Sequence, residues 1–140
     1  MLIPNINKDV TKAIYQGKYV AFLANYDISK ILGNNYERFD LSQSETAKTI
    51  NILENKLSKQ VDNNEIKILP EYLIQFFGYI NENNEKIVWS NFFCSSFYNN
   101  SSVNYLEELI SVDDGGNCYF NVKVNLEKEE IFDLIINGEA

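Results

Sequence analysis

The chain has 140 residues, with twelve Lys and Arg against twenty Asp and Glu, a formal net charge of -8, and no histidine. That length suits a single domain over residues 1–140 with a core of its own. The acidic balance and the lack of a basic cluster exclude nucleic acid as an expected partner. The missing histidine removes Ser-His-Asp and Cys-His catalysis, a His general base and His metal ligation.

The N-terminal third carries the weakest patterns. Lys8 to Tyr15 reads as a short helix stopped near Gly17, Tyr19 to Leu23 as a compact apolar strand, and Tyr26 to Phe39 as an ordered loop or single turns. Ser42-Gln43-Ser44-Glu45 then has the spacing of a capping box, in which hydroxyl and carboxylate each accept from the other residue's backbone N–H. Behind it Ala47, Ile50, Leu53, Leu57 and Val61 recur at helical steps, opposed by Lys48, Asn51, Asn55, Lys59 and Asp62. The spacing predicts a helix over 43–60.

Pro70 marks a change of period from helical to extended. Tyr72 to Ile80 and Lys86 to Ser96 flank the turn chemistry of Asn81-Glu82-Asn83-Asn84-Glu85, which predicts a β-hairpin. Phe97 to Asn104 reads as a polar connection, and Tyr105 to Val112 as a strand or a helical turn. After the turn Asp113-Asp114-Gly115-Gly116, apolar Cys118, Phe120, Val122, Val124 and Leu126 alternate with Asn117, Tyr119, Asn121, Lys123 and Asn125. Glu127 to Glu130 closes a second hairpin, and Ile131 to Asn137 returns. The expected fold is α+β: one long helix packed on a meandering antiparallel sheet of about four strands, with cystatin-like or NTF2-like topology and a less regular N-terminal third.

Few residues suggest chemistry. Asp113 and Asp114 beside two glycines could hold a cation or a hydrogen-bonded ligand, but they better suit a turn into a strand, which requires those residue types. A calcium loop of regular ligand spacing is missing. Cys94 and Cys118 are too few for a four-ligand zinc site in one chain. Both read as packed thiols, and whether they pair is left open. The many acids read as a solvated exterior. Aromatics crowd the first hairpin: Tyr72, Phe76, Phe77, Tyr79, Trp89, Phe92 and Phe93. One face of that hairpin belongs against the helix. The other is either an exposed recognition patch or a surface covered by the N-terminal third. Trp89, Tyr79, Asp113, Asp114 and Tyr119 are therefore the candidate binding residues. No catalytic residue, metal ligand or cofactor is expected.

Phe77-Gly78-Tyr79-Ile80, the run Lys86 to Cys94, the run Asp114-Gly115-Gly116-Asn117-Cys118-Tyr119-Phe120-Asn121-Val122-Lys123 and the end Asn137-Gly138-Glu139-Ala140 resemble a group of small uncharacterised bacterial proteins. The resemblance spans roughly the last seventy residues, with a weaker echo at the Ser42 helix start, and it implies no particular activity. In scale and acidity such proteins are similar to immunity and inhibitor proteins.

The functional expectation is a non-enzymatic protein-binding module of the immunity or inhibitor kind, with a basic protein as partner. The alternative is a small-ligand binder, or a weak carboxylate-based enzyme, with its pocket between helix and sheet. Met1-Leu2-Ile3-Pro4-Asn5 shows no secretory leader and no stretch is long enough to span a bilayer, so no membrane association and a cytoplasmic place are expected. A chain trimmed of its leader, from the envelope or secreted, reads the same. Oligomeric state has no sequence signal.

Overall fold

A computed structural model of the chain describes residues 19–33, 35–62, 72–94, 109 and 119–136. The expected helix at Lys8 to Tyr15, Pro70, the connection at 97–104, the region 105–112 apart from Leu109, and the turn at 113–116 lie outside them.

The Ser42 capping box forms as its spacing requires. Glu45 N donates to Ser42 Oγ at 3.1 Å, and Ser42 N donates to Glu45 Oε1 at 2.9 Å. It opens the one long helix, which we call α2, Gln43–Asp62. Ile50, Leu53 and Leu57 of its apolar stripe are fully buried, while Lys48, Asn51 and Asn55 are exposed. The buried stripe is wider than the apolar pattern suggests, because Thr46 and Thr49 lie in it. Their hydroxyls donate back to the carbonyls of Ser42 and Glu45 at 2.9 and 2.8 Å, so neither is buried without a partner.

Among the described residues the sheet has six strands: β1 (Tyr19–Ala21), β2 (Glu37–Phe39), β3 (Tyr72–Ile80), β4 (Lys86–Cys94), β5 (Tyr119–Asn125) and β6 (Glu130–Ile136). The order is β1-β3-β4-β5-β6, with β2 also pairing to β3. β3 to β6 are the expected antiparallel meander. The sheet of about four strands is corrected to six among the described residues: the apolar strand expected at Tyr19 to Leu23 forms β1 and joins the sheet, and β2 forms where loop or single turns were expected. β1 runs parallel to β3 and β2 antiparallel to it. The three residues of β2 are too few for a period of two to register in the sequence. A single helical turn, α1 (Ser29–Leu32), stands between them where the sequence suggested loop or turns.

Asparagine builds both hairpin turns. Asn81 Oδ1 accepts from the backbone N–H groups of Asn83 and Glu85 at 3.0 and 2.9 Å, and Asn84 takes a left-handed φ of 62°. In the second turn Asn125 Oδ1 accepts from Glu127 N and Lys128 N, both at 3.0 Å, and Glu129 takes φ 55°.

The pleat sorts the side chains onto two faces. On the helix face, Ile74, Phe76, Val88, Phe92, Phe120, Val122 and Val124 pack with Ile50, Leu53 and Leu57 of α2, all at most 1% exposed. Phe92 and Phe120 stack at 4.4 Å between centroids. Gly78 sits on this face under the Phe39 ring, where a Cβ would lie only 2.7 Å from ring carbons. Glycine lets β2 close on β3 there.

β6 needs a bulge to use this face. Its sequence Glu-Ile-Phe-Asp-Leu-Ile-Ile would put Asp133 inward beside Ile131 and Ile135 in a regular strand. Instead the register shifts between Asn121 and Lys123, so that Asp133 and Leu134 together face Val122. Asp133 adopts φ 51° at the shift, and Ile131, Leu134 and Ile136 turn to the helix face.

Candidate functional site

On the opposite face, β3 and β4 present Phe77, Tyr79, Ile87 and Trp89. These pack with Phe22, Tyr26, Ile28, Leu32 and Tyr36 from the N-terminal third, and with Leu109. We call this N-terminal cover the strap. Phe77 and Trp89 stack at 5.0 Å, Phe22 and Tyr26 at 4.4 Å, and Tyr36 meets Tyr79 edge-on at 5.0 Å.

The strap is pinned by the chain's single arginine. Arg38 donates from Nε to Gly78 O (2.8 Å), from Nη1 to Tyr26 O (2.7 Å) and from Nη2 to Leu23 O (3.2 Å). Its guanidinium also lies 5.0 Å over the Phe77 ring. The fixed fork of an arginine reaches three carbonyls that a lysine cannot hold together. Burial pulls its pKa down, and Asp40 offsets part of that shift. Asp40 Oδ1 also accepts Ala24 N–H at 2.6 Å, a second tie on the same stretch.

Of the five candidate binding residues, Tyr79 and Trp89 lie beneath this cover, at 4% and 8% exposure. Burial, with Tyr36, Asp133 and Glu82 nearby, pushes the Tyr79 phenol up to about 12, so it stays protonated at neutral pH. Tyr119 is half-buried on the same face of β5, four residues along from Phe132's partner Lys123 and beyond the strap's aromatic cluster. Asp113 and Asp114 lie outside the described residues, as does Cys118. The structure thus brings Tyr79 and Trp89 together, and leaves Tyr119 apart from them.

Between Trp89 and Tyr119 the face is polar. Gln75 and Asn91 are buried, and Asn91 Nδ2 donates to Gln75 Oε1 at 3.0 Å. On the helix face the space between helix and sheet is filled by the Phe, Ile, Leu and Val side chains already named. Among the described residues no three Cys, Asp or Glu stand close enough to hold a metal ion, and no helix is long and apolar enough to cross a membrane.

The feature that sequence reasoning passed over is a concentration of charge at one end of the sheet. The turns after β3 and β5 emerge side by side, with Leu126 N donating to Lys86 O at 3.0 Å. Glu37 pairs with Ile80 at the same end. Glu37, Glu82, Glu127, Glu129 and Glu130 therefore lie along one end of the sheet, and all are exposed. The two lysines of this end are already engaged. Lys86 Nζ is 2.7 Å from Glu45 Oε2 and lies over the Phe39 ring, and Lys128 Nζ is 3.8 Å from Glu85 Oε2. Burial raises the Glu45 carboxyl, but Lys86 and Ser42 together outweigh it and hold the group below its usual value. A hydrogen bond from Asn81 does the same for Glu85. The signal was available: consecutive antiparallel hairpins put alternate turns at one end, and both of these turns are rich in glutamate.

The chain matches no protein-family profile, no curated protein and no solved structure.

Proposed function

We propose that this protein is a non-enzymatic protein-binding module of the immunity or inhibitor kind, and that its partner is basic. The observation that carries this reading is the glutamate-rich end of the sheet, where five exposed carboxylates have no ion pair with a lysine among the described residues. Such a surplus steers a cationic protein toward one orientation and speeds its encounter. Both sheet faces support the same reading from the other side, since aliphatic and aromatic side chains fill the helix face and the strap covers Tyr79 and Trp89. The cystatin-like or NTF2-like topology, the likeness to small bacterial proteins and a cytoplasmic setting belong to the proposal as well. The pocket between helix and sheet that a ligand-binding alternative needs finds no support in the packing of that layer.

The test is affinity capture from the source cells at low and high salt. Wild-type chain is compared with a variant carrying Glu82→Gln, Glu127→Gln, Glu129→Gln and Glu130→Gln. A basic protein held by the wild type at low salt, released by salt and lost with the variant supports the reading. Capture of no basic protein, or capture indifferent to the four substitutions, contradicts it.

A further inference from the structure

β6 ends the sheet, and among the described residues no strand pairs with its outer edge. An open edge presents a row of backbone N–H and C=O groups to any extended chain that reaches it. At the other side of the sheet stand β1 and β2, of three residues each, whereas β6 offers seven.

Its side chains differ from those of the inner strands. Phe76, Phe92 and Val124 are at most 1% exposed, yet every apolar residue of β6 keeps contact with solvent. Ile131, Phe132, Leu134 and Ile136 are half-buried, and Ile135 is 57% exposed. α2 lies closest to β5 and β6, so the inner side of this edge already has a backing layer. A further strand along β6 would cover the rest.

The charges select the occupant. Glu129, Glu130 and Asp133 are exposed on and beside the strand, with Lys123 Nζ 3.1 Å from Asp133 Oδ2. Two copies pairing antiparallel about Asp133 would set Asp133 against Asp133, and each copy carries a net charge of -8. The bulge at Asp133 bends this edge for any added strand, so the charges decide between the two occupants, and a cationic strand meets neither repulsion.

We infer that β6 is the docking edge for an extended segment of the partner protein, in which Lys or Arg alternates with apolar residues and which joins the sheet as a seventh strand. The inference rests on the acidic-module reading and names where the partner lands. Its apolar residues extend the helix-face layer beside Ile131, Leu134 and Ile136, and on the other face its cations answer Glu130 and Asp133.

The probe is a synthetic peptide of alternating Lys and Val, matched to β6 in length, beside a second peptide whose central Val is Pro. Both are titrated into the full chain at low salt, with affinity and amide hydrogen exchange as readouts. The alternating peptide should slow exchange along β6, and the Pro peptide, which loses a ladder hydrogen bond, should bind about tenfold more weakly. Ile135→Lys, at an exposed site, should weaken the alternating peptide by a similar factor, while Glu54→Lys on the exposed side of α2 should leave it unchanged. Equal binding of both peptides, or binding indifferent to Ile135→Lys, overturns the inference. If the peptide binds in a salt-sensitive way but protects the turns at 81–85 and 126–129 instead of β6, the acidic module stands and the docking edge falls. If neither peptide binds, both fall.

Discussion

The two faces of this sheet are closed by different physics. On one, α2 lays a periodic apolar stripe over strands whose inward residues are Phe, Val and Ile, and the stabilisation scales with apolar area removed from water. On the other, a strap with one short helical turn covers aromatic residues and is held by directional bonds from a single side chain, Arg38. The first closure is spread over many contacts, so losing one member weakens the whole fold. The second converges on one guanidinium, so losing it should release one region and leave the rest.

The largest expected effect tests the spread closure. Phe92→Ala removes a fully buried ring stacked on Phe120, and a truncation of this kind costs about 3–5 kcal/mol. Chemical denaturation should show a lower midpoint with one cooperative transition. A second, separate transition would mean that the helix layer is not one unit.

Gly78→Ala sharpens the same face from the opposite direction, by adding an atom. The new Cβ meets the Phe39 ring at 2.7 Å, so the ring must move or β2 must lift from β3. Overpacking of this sort costs about 1–3 kcal/mol. Thermal unfolding that matches wild type would show that the Phe39 ring has room to turn away.

Ser90 breaks the uniformity of the helix face. Its hydroxyl is fully buried between Phe76 and Val122 in register, and it has no hydrogen-bond partner among the described residues. Ser90→Ala should therefore stabilise the protein by about 1 kcal/mol, since it removes an unpaired polar group from an apolar layer. Lower stability in the variant would show that the hydroxyl has a bonded partner in solution.

The smallest effect concerns the tie between α2 and β4. Glu45 titrates below its ordinary value of 4.5 in the folded chain. Its pair with Lys86 therefore contributes above that value and is lost as pH falls through the lowered one. Lys86 is partly exposed, so screening keeps the contribution within about 1 kcal/mol. Glu45→Gln should flatten the acid limb of stability below the ordinary carboxylate range. An unchanged limb would place the acid sensitivity elsewhere.

What the sequence disclosed follows the same division. The helix, expected over 43–60 and observed over Gln43–Asp62, its capping box, both hairpins and the alternation in β5 were legible, because each is a local pattern with a fixed period or turn chemistry. β1 was legible as the apolar strand at Tyr19 to Leu23, but its parallel pairing with β3 was not, because it joins segments far apart in the chain, and β2, of three residues, left no period. The strap was open between two readings because its fastening is one arginine donating to three carbonyls, which no spacing announces. The bulge at Asp133 went unread because Ile131 to Asn137 reads as a returning strand, although Asp133 between Ile131 and Ile135 conflicts with a regular one. The candidate site divides likewise. The crowding of aromatics near Tyr79 and Trp89 was visible, but their burial depended on a partner layer outside the pattern. The glutamates were visible in both turns, but their meeting needed the topology.

Amide hydrogen exchange on the wild type and on Arg38→Lys tests the contrast between the faces most directly. Lysine keeps the charge but cannot span Gly78, Tyr26 and Leu23. The amides of Phe22, Tyr26 and Gly33, bonded to Phe76, Leu23 and Ser29 in the wild type, should lose protection in the variant, while those of α2, β4 and β5 keep theirs. Protection that falls evenly across strap, helix and sheet would show the two closures to be one, and contradict the account.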